Sequence, residues 1–147
     1  MYLMQKLAQE RIACAIGAIS GAHYAFEETL KYVKERKAFG KPIGSFQANR
    51  FTMAEMKTEI TIGQTFVDQC VMKCVNGTIT PEDAFMAKYW TTDLLNKVVY
   101  NGVQLHGGYG YMMEYPIARA YTDARITTIF AGTNEIMKEM IGRGMGL

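Results

Sequence analysis

Between Ile12 and Val33 an apolar face recurs in alternating steps of four and three, through Ile16, Ile19, His23, Phe26 and Leu30. Such steps keep side chains on one side only where the backbone turns once every 3.6 residues. The spacing therefore predicts an amphipathic α-helix and excludes a strand. The helix is expected to begin at Glu10 and Arg11 and to run to about Arg36. It stops in Lys37-Ala38-Phe39-Gly40-Lys41-Pro42. There Gly40 is free to adopt positive φ, and Pro42 disfavours helix at the residue before it, leaving a loop to about Ser45.

The same spacing returns in Met53, Met56, Ile60, Gly63, Val67, Cys70 and Cys74, a second helix whose methionines make an adaptable face and whose Gly63 permits close approach of a neighbour. Asn76-Gly77 ends it. Thr80-Pro81-Glu82-Asp83 then combines an N-cap, a proline at the first helical position and acids in the first turn, opening a third helix. That helix carries Phe85, Met86, Tyr89, Trp90, Leu94, Leu95, Val98 and Val99, an arc wide enough to be covered on more than one side, and ends near His106. Pro116 opens a short helix to Ala124, and Thr133 caps a last one through Ile136, Met137, Met140 and Ile141. No segment reads as a strand. Three long helices joined by short loops predict an all-α domain, packed antiparallel as a four-helix-bundle-like fold.

Hydrophobic residues make up 49% of the 147, enough for one domain with one core. The net charge is only +2, with cations scattered among glutamates, which argues against nucleic acid or an anionic membrane as partner. Apolar runs break before the roughly 20 residues of a membrane span, and the start lacks a signal-peptide pattern, so a soluble compartment is expected. Cys14, Cys70 and Cys74 are read as reduced packing residues.

Taken without any resemblance, two segments stand out for chemistry, Gln104-Leu105-His106-Gly107-Gly108-Tyr109-Gly110 and Ala131-Gly132-Thr133-Asn134-Glu135. Both flank helix ends. The second offers free backbone N–H groups and a positive dipole end, suited to an anion. The first is no dinucleotide fingerprint of the Rossmann kind, because it leaves a helix rather than a strand. His23 on the apolar stripe and a distant His106 make no metal site, and neither Ser20 nor Ser45 sits in a nucleophile elbow. From the residues alone, Glu10 and Arg11 read as solvated helix-start charges.

Four segments together carry a resemblance: Arg36-Lys37-Ala38-Phe39-Gly40-Lys41-Pro42-Ile43, Gln104 to Gly110, Glu114-Tyr115-Pro116, and Ala131 to Ile136. In this order and spacing the chain resembles the C-terminal domain of the acyl-CoA dehydrogenases, most nearly the long-chain branch. The resemblance implies an FAD-dependent oxidoreductase of fatty acid β-oxidation. Such an enzyme removes an α-proton from an acyl-CoA thioester with a carboxylate while the β-hydrogen leaves as hydride. It implies electron-transferring flavoprotein as the acceptor, a homodimer or homotetramer, and either the bacterial cytoplasm or the mitochondrial matrix. Residues 1–147 are expected to be one domain of a longer protein, with the family's N-terminal helical and middle β-domains lying outside them.

Most members of the family carry the catalytic glutamate where this chain has Ala131. In the long-chain and isovaleryl-type branches the base lies at the place matching Glu10, so Glu10 is the expected catalytic residue. Arg11, Ala131 through its backbone N–H, and Gly132 are expected to meet the substrate. Flavin contacts are implied for Arg36, Lys37, Ala38, Phe39, Phe46 and Gln47. The resemblance adds Gln104, Leu105, His106, Gly107 and Gly108, and finally Thr133, Asn134 and Glu135. Two other readings stay open: a noncatalytic assembly domain in which Ala131 marks loss of the base, and a related acyl-CoA oxidase.

Overall fold

The computed structural model describes the backbone of residues 2–147 and the side chains of residues 7–147. Among the described residues five α-helices follow one another: α1 (Tyr2–Glu35), α2 (Gln47–Val75), α3 (Pro81–His106), α4 (Pro116–Ala124) and α5 (Asn134–Gly144). The N-terminal signals act as expected. Thr80 accepts from the Asp83 backbone N–H, and the Asp83 carboxylate returns a bond to the Thr80 N–H, closing a capping box worth about 1 kcal/mol. Thr133 caps α5 by accepting from the Ile136 N–H, and Pro116 is the first residue of α4.

Three expectations need correction. First, Glu10 and Arg11 do not begin α1 but lie inside it, two turns past Tyr2. Their backbone groups are therefore spent on the helix, and the helix-start reading of Glu10 lapses. Second, Ile16 is 41% exposed, because the buried seam of α1 runs instead through Ile12, Ala15, Ala18, Ile19, Ala22, Ala25 and Phe26. Alanines hold the middle of that seam, and their small side chains let α3 approach closely. Third, the loop after α1 contains a minimal hairpin, β1 (Lys37–Ala38) paired antiparallel with β2 (Lys41–Pro42). Phe39 and Gly40 both take positive φ at its tip, 53° and 80°, as a two-residue turn between twisted strands requires.

The order of the helices fixes where the ends fall. Consecutive long helices run antiparallel, joined by the hairpin and by Asn76–Thr80, so α1 and α3 run parallel. The contacts agree: Arg11 lies over Phe85 near both starts, and Tyr32 stacks on His106 near both ends. Helix α3 is covered on several sides. A Cβ added at Gly63 of α2 would lie 2.6 Å from the Trp90 ring, and one at Gly102 of α3 would meet Ile117 of α4 and Thr29 of α1. These glycines mark the closest helix approaches. Among the described residues, no helix is long and apolar enough to cross a membrane, and no cluster of three metal-ligating side chains occurs.

Candidate functional site

Near the start of α1 and α3, the segment between α4 and α5 folds back onto both helices. Ala131 and Gly132 adopt positive φ, 55° and 97°, so the backbone here is bent in a way only glycine tolerates freely. Two cations hold the bend. The Arg11 Nε donates to the Ala131 carbonyl at 3.3 Å, with its guanidinium 5.0 Å over the Phe85 ring. Lys88, whose side chain is 0% exposed, donates to the Gly132 carbonyl and to Asn134 Oδ1, both at 2.8 Å. In a trans peptide the C=O and N–H point opposite ways. Drawing these two carbonyls inward therefore turns the N–H groups of Gly132 and Thr133 outward, beside the positive end of α5.

Asn134 is 2% exposed. Its amide donates to the Asp93 carboxylate at 2.8 Å, to the Thr92 hydroxyl at 2.9 Å and to the Tyr89 carbonyl at 3.2 Å. Its side chain thus faces the protein, while Glu135 beside it is exposed and Thr133 is half-buried. Glu10 is exposed next to Arg11. Its carboxylate lies one turn before Cys14, and burial, reinforced by that negative charge, pushes the Cys14 thiol up. Burial pulls the Lys88 ammonium below the ordinary lysine value, and Cys14, Asp93 and Glu135 oppose the shift.

The opposite end of the same helix pair is open. A cleft of about 620 Å³ is lined by Tyr32 and Arg36 of α1, Ile43, Gln104 to Gly108, Tyr109 and Met112. Tyr32 and His106 stack at 4.0 Å, Tyr109 and Tyr115 at 5.1 Å, and the Arg36 guanidinium lies 5.6 Å over Tyr109. His106 is 6% exposed, and its Nδ1–H donates to the Gly102 carbonyl at 2.7 Å. Burial holds its imidazole below the usual histidine range, with the Gly102 bond and the Glu28 charge pulling the other way. Gly107 takes φ 61°, and a Cβ added to Gly107 or Gly108 would meet nothing within 4 Å. These glycines border open space rather than a packed neighbour. The cleft lies at the negative end of the α3 dipole, so Arg36 is the cation that makes it acceptable to an anionic ligand.

The hairpin stands beside that cleft. Phe39 is 95% exposed, its ring edge-on to Phe46 at 6.2 Å, and the Lys41 ammonium lies 4.4 Å over the Phe46 ring. Lys37 and Gln47 are exposed and Ala38 is half-buried.

The residues singled out from the sequence thus form two groups. Arg11, Ala131, Gly132 and Asn134 share one network with Lys88, with Glu10 at its edge. Arg36, Gln104, Leu105, His106, Gly107 and Gly108 share the cleft. The groups do not meet within one chain, since the 25 residues from Arg11 to Arg36 carry α1 about 37 Å. Sequence reasoning missed Lys88 and Tyr32, and it quoted Tyr109 and Tyr115 within motifs without giving either a place in the site. The signal for Lys88 was available: Phe85, Lys88, Thr92, Leu95 and Val99 alternate by three and four along α3, which places a charge on the buried face.

Residues 1–146 match the family model described as "Acyl-CoA dehydrogenase, C-terminal domain". The long-chain specific acyl-CoA dehydrogenase of Sus scrofa mitochondria is 53% identical over 142 residues, 97% of this chain and 33% of that protein. A subunit of a caffeyl-CoA reductase–Etf complex from Acetobacterium woodii is 37% identical over 97% of the chain and 37% of its own length. Among solved structures, an acyl-CoA dehydrogenase from Geobacillus kaustophilus superposes with a TM-score of 0.98 at 48% identity, covering 99% of this chain and 38% of that one. The chain spans about a third of the length of the curated relatives it matches. Fold, motif order and these likenesses together make the chain a member of the acyl-CoA dehydrogenase family, and the part it represents is the C-terminal domain.

Proposed function

We propose that this domain supplies the base, the thioester-facing backbone and part of the flavin cradle of an acyl-CoA dehydrogenase, with Glu10 as the catalytic carboxylate. The observation that carries the reading is the joining of Arg11, the residue after Glu10, to the Ala131 carbonyl of the loop where other members bear their glutamate. Ala131 has only a methyl group and accepts no proton. Its loop still offers backbone donors to an oxygen that gains negative charge as the α-proton leaves.

Glu10 removes that proton. An exposed carboxylate is a weak base, so the acyl chain and the rest of the enzyme have to cover Glu10 and raise its affinity for the proton. Bound FAD supplies the acceptor for the β-hydrogen. Gly107 and Gly108 fit such a group, because their missing side chains leave room for a ligand against the backbone, and Arg36 supplies a balancing cation. The separation of the two groups along α1 supports a shared site, in which the cleft of a second copy completes the flavin site begun by Thr133 and Glu135. The Etf complex of the Acetobacterium woodii relative supports electron-transferring flavoprotein as the partner that reoxidises the flavin.

Glu10→Gln in the full-length protein tests this reading. Bleaching of bound flavin by a long-chain acyl-CoA should slow by about 10²–10⁴-fold while flavin content holds. Near-normal bleaching would remove Glu10 from the mechanism. Recovery of bleaching on adding Ala131→Glu to that variant would show that both positions address the same carbon atom.

A further inference from the structure

The proposed mechanism gives Lys88 no task, yet its ammonium is sealed from solvent. Burying a cation is costly unless its donors are satisfied, and an apolar side chain of similar length commonly serves stability as well or better. Packing alone therefore does not explain a lysine here. Its partners do, because both belong to the segment that carries Ala131.

The ammonium reaches the Gly132 carbonyl and Asn134 Oδ1, each at 2.8 Å. The Asn134 amide is in turn held by acceptors on α3, the Asp93 carboxylate and the Thr92 hydroxyl. The Thr92 hydroxyl donates to the Lys88 carbonyl at 2.9 Å, closing the circuit on its own helix. With donors on one side and acceptors on the other, the amide has one satisfying orientation. The strained backbone at Ala131 and Gly132 is thus fixed from beneath rather than by the loop's own preference.

We propose that Lys88 is a positioning residue for dehydrogenation: its grip on the Gly132 carbonyl and Asn134, beside that of Arg11 on the Ala131 carbonyl, fixes the bend whose backbone donor faces the thioester oxygen. The inference rests on the reading that this loop faces the substrate. Lys88 touches neither substrate nor flavin. Its effect passes through the Gly132 peptide plane and the Asn134 side chain that anchor the bend, where a misplacement of about 1 Å is enough to cost about 10²-fold in rate.

The test uses the full-length holoenzyme and the variant Lys88→Met, with Glu10→Gln run alongside. Flavin content, the bleaching rate at saturating acyl-CoA and the half-saturating acyl-CoA concentration are measured for each. Lys88→Met should keep its flavin and lose about 10- to 100-fold in saturated rate, with a much smaller change in half-saturation. A saturated rate per flavin within about twofold of the parent overturns the proposal, whether or not flavin content falls. So does a loss confined to half-saturation. Should Lys88→Met fail to accumulate as holoenzyme, the isosteric Thr92→Val loosens Asn134 without uncovering a charge. It should lower the saturated rate several-fold, and an unchanged rate refutes the positioning role. A dead Glu10→Gln with a normal Lys88→Met sinks only the lysine claim, whereas a normal Glu10→Gln sinks the base assignment first.

Discussion

At one end of the α1/α3 pair, two cations draw the carbonyls of Ala131 and Gly132 inward; at the other, Gly107 and Gly108 leave open space against the backbone. The first end is built by filling: Phe85, Lys88 and Asn134 are buried, and the loop above them is held against its own backbone preference. The second is built by leaving out: side chains are missing where a ligand would lie, and stacked aromatic rings brace the walls. The difference teaches that one helix pair serves two opposite requirements. A reacting centre needs groups that do not move, and a cofactor needs a place it can enter.

Glycine substitutions separate these requirements most sharply. Gly132→Ala adds a Cβ at φ 97° and 2.8 Å from the Met137 Sδ-methyl carbon, so the full-length protein should lose about 1–2 kcal/mol of stability, read as a lower denaturant midpoint. An unchanged midpoint would show that the filled end is not under strain. Gly108→Ala should do the reverse. Its added methyl meets nothing within 4 Å, so the midpoint should stay within about 0.5 kcal/mol while flavin retention weakens about tenfold. Undiminished flavin affinity would mean that the open cleft holds no part of the cofactor.

Acid should distinguish the two ends of α3 more gently. Burial depresses the His106 pKa in the folded state, so folding favours the neutral ring. Its contribution is fully present above the ordinary value of 6.5 and is lost as the pH falls toward the lower folded value. For Asp83 burial alone would raise the pKa, but hydrogen bonds from Lys73 and Thr80 win and hold it below 3.8. Its contribution is present above 3.8 and is lost only as the pH falls through the lower folded value. Between about pH 6 and 4, protection against amide exchange, taken relative to the intrinsic rate at each pH, should therefore fall around residues 102–110 before it does around residues 80–86. His106→Gln should flatten the first response, and equal loss of protection at both ends would contradict the assignment.

Where the chain states its structure locally, the sequence was readable. Thr80-Pro81, Pro116 and Thr133 start their helices because hydroxyl caps and fixed proline φ act within one turn. Gly63 announced a close approach because its missing side chain interrupts an otherwise apolar stripe. The seam of α1 was misplaced because hydropathy spacing weights Ile16 above Ala15 and Ala18, whereas close packing against α3 favours the alanines. Phe39 hid its positive φ because phenylalanine has no preference for that region and the turn imposes it. Lys88 escaped because a lysine reads as solvent-facing until its place in the three-four alternation is counted. The grouping of site residues into two distant ends required the parallel course of α1 and α3, which no local signal states.

The seam of Ala15, Ala18, Ala22 and Ala25 makes the two parallel helices a single stiff beam whose ends both carry chemistry. A larger side chain at its midpoint would wedge the helices apart and tilt Arg11 against Phe85 at one tip and Tyr32 against His106 at the other. The middle of the seam thus bears on both tips at once, and what it asks of its side chains is a methyl group and nothing more.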